Sequence, residues 1–126
     1  MHIIHRVSRG FGDWLDNFVH YLEIERNLSP ATIESYARDL TGFREFLEKN
    51  GYTGPRGEID PAEVGRKQVR NHLAVLARKH SPATVERAAA AIRSFYRFLM
   101  REGAVKKNPA ALVRTPKKQK KLPQKR

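Results

Sequence analysis

From residue 11 onward the apolar side chains of this chain return at steps of three and four. Two of the segments so patterned open with the same four letters, Ser29-Pro30-Ala31-Thr32 and Ser81-Pro82-Ala83-Thr84, 52 residues apart. A step of three and four follows the 3.6-residue turn of an α-helix and lays such residues along one stripe. No alternating run competes with it, so the pattern confines the chain to an all-α fold. In each four-letter start the serine can cap the free amides of the first turn, and the proline fits the first helical position, where no donor is lost.

The elements follow from these stripes and their stops. Phe11, Trp14, Leu15, Phe18 and Leu22 mark a first helix that ends near Asn27. Ile33, Tyr36, Ala37, Leu40, Phe43 and Leu47 mark a second, closed by Asn50-Gly51. Residues 51–59 form a loop rich in glycine, and Asp60-Pro61-Ala62-Glu63 reads as a capping box that opens a short turn. Val69, Leu73 and Leu76 define a third helix ending near His80, and Val85, Ala88, Ala89, Ile92, Phe95, Tyr96 and Leu99 a fourth ending at Gly103. Asn108-Pro109 predicts a brief further helix through about Val113. Two antiparallel helical hairpins of this kind pack as a small four-helix bundle. The chain has 126 residues, an ordinary size for one core. We expect that core over 11–113, with a flexible extension over 1–10 and a basic tail over 114–126 that serves as an interdomain linker.

Charge decides the kind of partner. Lys and Arg number 25 against 13 Asp and Glu, a net +12. The excess is not spread evenly. Residues 1–63 hold 7 basic and 11 acidic side chains, residues 64–105 hold 9 and 2, and residues 106–126 hold 9 and none. The attraction for a polyanion therefore lies in the second half and the tail, where Lys117 and Lys118 can lie along phosphates and release counterions. There is no cysteine, which excludes disulfides and thiolate metal sites, and no apolar run approaches the roughly 20 residues of a membrane span.

The outer face of the fourth helix carries Thr84, Arg87, Ala91 and Ser94, with Arg93 and Arg97 near its edges. Small side chains with a few arginines allow a helix to come close to a DNA duplex, where arginine can reach base edges or backbone. Thr32, Ser35 and Arg38 form a weaker analogue on the second helix. The plain alternative is that the alanines are good helix formers and the arginines ordinary surface. Other constellations carry little. His2 and His5 lack a third ligand, and His72 and His80 read as surface or groove-edge residues. Gly10 and Gly12 lack the third glycine of a dinucleotide loop. Tyr21, Tyr36 and Tyr96 fall on or near apolar stripes and read as core, while Arg26 can pair with Asp39 across the first helix junction. With no acid–base couple, nucleophile or metal cluster, the residues point to no catalysis, no cofactor, no metal and no small-molecule ligand.

The string Tyr21-Leu22-Glu23-Ile24-Glu25-Arg26-Asn27-Leu28-Ser29-Pro30-Ala31-Thr32, followed by Tyr36-Ala37-Arg38-Asp39-Leu40, resembles the opening of a Xer-type tyrosine recombinase of the phage integrase family. The likeness continues through Ser81-Pro82-Ala83-Thr84, Arg87 and Ile92-Arg93-Ser94-Phe95-Tyr96-Arg97-Phe98-Leu99, then Asn108-Pro109-Ala110, Thr115-Pro116-Lys117 and Lys121-Leu122-Pro123. It covers roughly residues 12–124; Gly65 departs from it, standing where many relatives carry a Thr or Ser cap. The resemblance implies an N-terminal SAM-like core-binding domain whose second and fourth helices meet duplex DNA. It implies a cytoplasmic, nucleoid-associated protein with other recombinase protomers as partners. It also implies that the catalytic residues, the nucleophilic tyrosine included, belong to a further domain that this chain lacks, so the chain itself is expected not to be an enzyme. A different reading is a helical protein–protein adaptor with a basic surface, anchored by residues such as Phe46 or Phe98.

Overall fold

A computed structural model describes residues 10–55 and 57–115. Residues 1–9 of the extension expected over 1–10, and Lys117 and Lys118 in the basic tail, lie outside the described residues. Within them the chain forms α1 (Phe11–Ile24), α2 (Pro30–Lys49), α3 (Arg66–Ala77) and α4 (Pro82–Arg101), with one turn of 3-10 helix at Pro61–Glu63. There is no strand among the described residues, as the period required.

The punctuation read in the sequence acts through local hydrogen bonds. Ser29 Oγ accepts from the Thr32 amide and Ser81 Oγ from the Thr84 amide, each at 3.2 Å, with Pro30 and Pro82 in the first turn. The C-terminal ends of the same two helices also match. Gly51 and Gly103 take positive φ, +77° and +80°. The residue after each glycine then donates back across the last turn, Tyr52 to Leu47 O and Ala104 to Leu99 O, both at 2.9 Å. A side chain at either glycine would meet left-handed strain, which is why glycine ends these helices. Gly65 cannot cap α3 with a side chain; instead Gln68 Oε1 reaches back to accept from its amide at 2.8 Å.

Helices α1 and α2 run antiparallel, because Phe18 meets Tyr36 while Phe11 meets Phe43 further along. Phe95 of α4 is the hub of the core, with its ring 5.0 Å from Phe11 and 5.4 Å from Phe18. Phe11, Phe18, Phe43, Phe95 and Tyr96 are all essentially inaccessible to solvent. Buried aromatic side chains of this size contribute on the order of 1.5–3 kcal/mol each, and edge-to-face pairs add about 0.5–1.5 kcal/mol. The Tyr96 hydroxyl donates to Pro61 O at 2.8 Å, and burial pushes its phenol far above the ordinary range. Tyr96 is thus a core residue that pins the 3-10 turn to α4.

Three expectations need correction. Residues 109–112 form turns and not a short helix. The Asn108 side chain takes the amide of Ala110 at 3.0 Å, and Arg93 takes the carbonyls of Ala110 and Val113, so the groups that would propagate a helix are spent elsewhere. Asp39 pairs with Arg87 of α4 and not with Arg26. His72 is not at the surface: it is buried beside the rings of Phe43 and Phe46, at 5.0 and 5.1 Å.

Candidate nucleic-acid interface

Helices α2 and α4 form one surface because their faces opposite the core converge. Thr32, Ser35, Tyr36 and Asp39 from α2 and Arg87, Ala90 and Ala91 from α4 line an open groove of about 390 Å³. On α2 the positions 32, 35 and 39 lie at steps of three and four, so they stack along one side of the helix. The hydroxyls at the starts of the two helices are held in place. Ser29 Oγ donates to Thr32 Oγ1 at 3.0 Å and Ser81 Oγ to Thr84 Oγ1 at 3.1 Å, which leaves the two helix starts with matching rigid ends.

One ion pair crosses the groove. Arg87 Nε donates to Asp39 Oδ2 at 2.9 Å and Arg87 Nη2 to Asp39 Oδ1 at 3.0 Å, a two-pronged contact. The Asp39 side chain is only 9% exposed, against 46% for Arg87, so the acid forms the floor and the guanidinium the lip. Hydrogen bonding to Asp39 and its charge hold the Arg87 pKa above the usual arginine value. Nearby, burial pushes the His72 imidazole down to about 4, only partly offset by the charge of Asp39, and its Nε2 has no hydrogen-bond partner. The groove is therefore a small-residue surface with one fixed, locally neutralised arginine.

Of the ten residues the sequence singles out, the structure gathers Thr32, Ser35, Arg87 and Ala91 around this groove. Arg38 is exposed on α2, and Thr84 is half-buried at the start of α4. Ala91 and Ser94 do not project outward as expected: they are 2% and 9% exposed. The reason is that α4 packs against α1, α2 and α3 at once, so its buried surface is wider than a single stripe. Ala91 still contributes to the groove floor; Ser94 does not line it. Arg93 is turned to its own chain, donating to Ala110 O and Val113 O at 3.2 Å each, with Glu86 beside it at 3.4 Å. Sequence reasoning missed Tyr36 and Asp39 as groove residues, although the spacing from Thr32 through Ser35 to Asp39 was there to be read. Among the described residues no group of three or more His, Cys, Asp or Glu side chains could hold a metal ion, and no helix is long and apolar enough to cross a membrane.

Compared with known proteins, residues 15–103 match the phage integrase N-terminal SAM-like domain. The chain belongs to this family. Tyrosine recombinase XerC of Halalkalibacterium halodurans is 41% identical to the SAM-like domain described here over 111 residues, covering 87% of this chain and 35% of that protein. XerC of Pelobacter propionicus is 43% identical over 104 residues, 82% of this chain and 33% of the relative. Tyrosine recombinase XerD of Lacticaseibacillus casei is 39% identical over 107 residues, 85% and 34% of the two chains. The SAM-like domain thus spans about a third of the length of the curated relatives it matches. No solved structure matches it.

Proposed function

We propose that this SAM-like domain is the DNA-binding module of a site-specific tyrosine recombinase, and that it holds duplex DNA with the outer faces of α2 and α4. The observation that carries the reading is the groove itself. Two helices opened by the same capped start bring Thr32, Ser35 and Arg87 to one surface, while their opposite faces are consumed by the core. Side chains this small let a duplex approach the helix backbones, and arginine and hydroxyl groups are the common donors to phosphate oxygens. Arg38 on α2 and the basic stretch with Lys117 and Lys118 extend the same attraction. Arg93 and Ser94 drop out of the contact set, the first because it holds residues 110–113 and the second because it is buried.

In a longer protein carrying this domain, the reaction is strand exchange through a covalent 3′-phosphotyrosine formed by residues outside this chain. The domain supplies grip and site positioning in the cytoplasm, beside other protomers on the same DNA. Phe98, one of the anchors an adaptor would use, packs on Trp14, Phe18 and Tyr21 in the interior, so the adaptor reading loses that contact.

Duplex affinity measured by fluorescence anisotropy at several salt concentrations tests the proposal. About four phosphate contacts would cost roughly a hundredfold in affinity between about 50 and 200 mM salt, at a slope near 0.9 per contact. Arg38→Gln and Arg87→Gln should each weaken binding and flatten that slope. A parent domain with no salt-dependent duplex binding would sink the reading.

A further inference from the structure

An acid on the floor of a groove meant for a polyanion is electrostatically adverse, and Asp39 sits there with both carboxylate oxygens engaged. Resting on the DNA-binding reading above, we propose that Asp39 is a positioning residue: it fixes the Arg87 guanidinium so that its free edge faces out of the groove to take a backbone phosphate.

The geometry of the pair supports this role. Nε and Nη2 form one edge of the planar guanidinium, and that edge is spent on Asp39 at 2.9 and 3.0 Å. Three N–H donors remain, two on Nη1 and the second on Nη2, and none makes a hydrogen bond among the described residues; the Nη1–Nη2 edge presents one from each nitrogen. That edge has the spacing for two oxygens of one phosphate. Arg87 is nearly half exposed while Asp39 is nearly covered, so a duplex would reach the arginine and not the acid. A free arginine side chain loses much rotamer freedom when it is captured at an interface. Anchored by a carboxylate from the neighbouring helix, Arg87 has lost most of that freedom before DNA arrives. Thr32 and Ser35 on the same wall are small enough to leave the phosphate room.

Charge and placement predict opposite outcomes here, and that makes the proposal testable. If Asp39 acts only as a negative charge, removing it strengthens duplex binding. If it positions Arg87, removing it weakens binding although the domain becomes more basic. The experiment is anisotropy titration of a random-sequence duplex by the parent chain and by Asp39→Asn, Asp39→Glu, Arg87→Gln and the double variant, at one salt concentration and then across several. Asp39→Glu keeps the charge and moves the carboxylate by one methylene, so it reads placement alone and serves if Asp39→Asn does not fold. Each single variant is expected to lose about tenfold in affinity, the scale of one charge-assisted contact. In the Arg87→Gln background, Asp39→Asn should cost nothing more. The salt slope should fall by about 0.9 in Arg87→Gln and Asp39→Asn alike, one phosphate contact, which a purely structural ion pair would not produce in a domain that remains folded. Asp39→Asn binding at least as tightly as the parent, or Asp39→Glu matching it, would overturn the proposal while leaving the DNA reading intact. A parent that does not bind duplex at low salt overturns both.

Discussion

His72 shows how much one side chain can alter behaviour without lining the groove. Its ring is packed between Phe43 and Phe46, its Nε2 is unpaired, and burial lowers its pKa to about 4 against the charge of Asp39. Because the folded value lies below the unfolded 6.5, the fold favours the neutral ring. That contribution is intact above pH 6.5 and is lost as the pH falls toward 4, where both states carry the proton. The size is on the order of 3 kcal/mol, from about 1.36 kcal/mol per unit. His72→Leu should therefore flatten the fall in stability between about pH 6.5 and pH 4, and at neutral pH it should be at least as stable as the parent, since it removes a buried polar atom without a partner. Urea midpoints at pH 7 and at pH 4.5 measure this; an unchanged drop in the variant would rule out His72 as its source. Burial of His72 was legible, since position 72 lies three residues after Val69 and four before Leu76, on the same stripe. A polar residue type on an apolar spacing was read by its type.

For the helices, the agreement and the misses have separate causes. Starts and stops depend on groups within a few residues of each other, as with Ser29 and Thr32 or Gly51 and Leu47, so the sequence carries them. Which side of a helix is buried depends on how many neighbours it has. One stripe suits a helix with one neighbour; α4 has three, and Ala91 and Ser94 were consequently misplaced. The partner of Arg93 was equally hidden, because it lies where the chain folds back 17 to 20 residues later. That return forms a latch. Arg93 holds Ala110 O and Val113 O, Asn108 Nδ2 donates to Arg93 O at 3.2 Å, and Thr115 donates to Glu86 at 2.9 Å. Arg93→Ala should cost about 1–3 kcal/mol, the value of charge-assisted bonds in a half-buried setting. It should also speed amide exchange across 110–113, read by hydrogen-exchange mass spectrometry. Duplex affinity should fall less than in Arg87→Gln. A larger loss of affinity in Arg93→Ala would return Arg93 to the DNA-contact set.

Along the sequence, the buried core of the described residues and the densest positive charge are centred on different stretches. The buried core runs from Phe11 to Val113, while residues 106–126 carry 9 basic side chains and no acid. The first half is net acidic, so non-specific attraction to phosphate cannot be uniform over the surface. On the proposed reading it is strongest from α3 onward, where basic side chains outnumber acids. The latch brings the chain back to α4 at Thr115, which donates to Glu86, the residue before Arg87. Six of the basic side chains lie in residues 116–126, including Lys117 and Lys118. Removing residues 116–126 should leave the melting temperature essentially unchanged, because the buried core of the described residues, Phe11 to Val113, is kept. It should lower the salt slope of duplex binding by about 0.9 for each phosphate those lysines and the arginine neutralise. Melting curves and salt titrations of the shortened chain separate the two effects. A shallower slope at constant melting temperature assigns part of the grip to the tail. An unchanged slope confines the footprint to α2 and α4, and then Arg38 and Arg87 must account for the salt dependence.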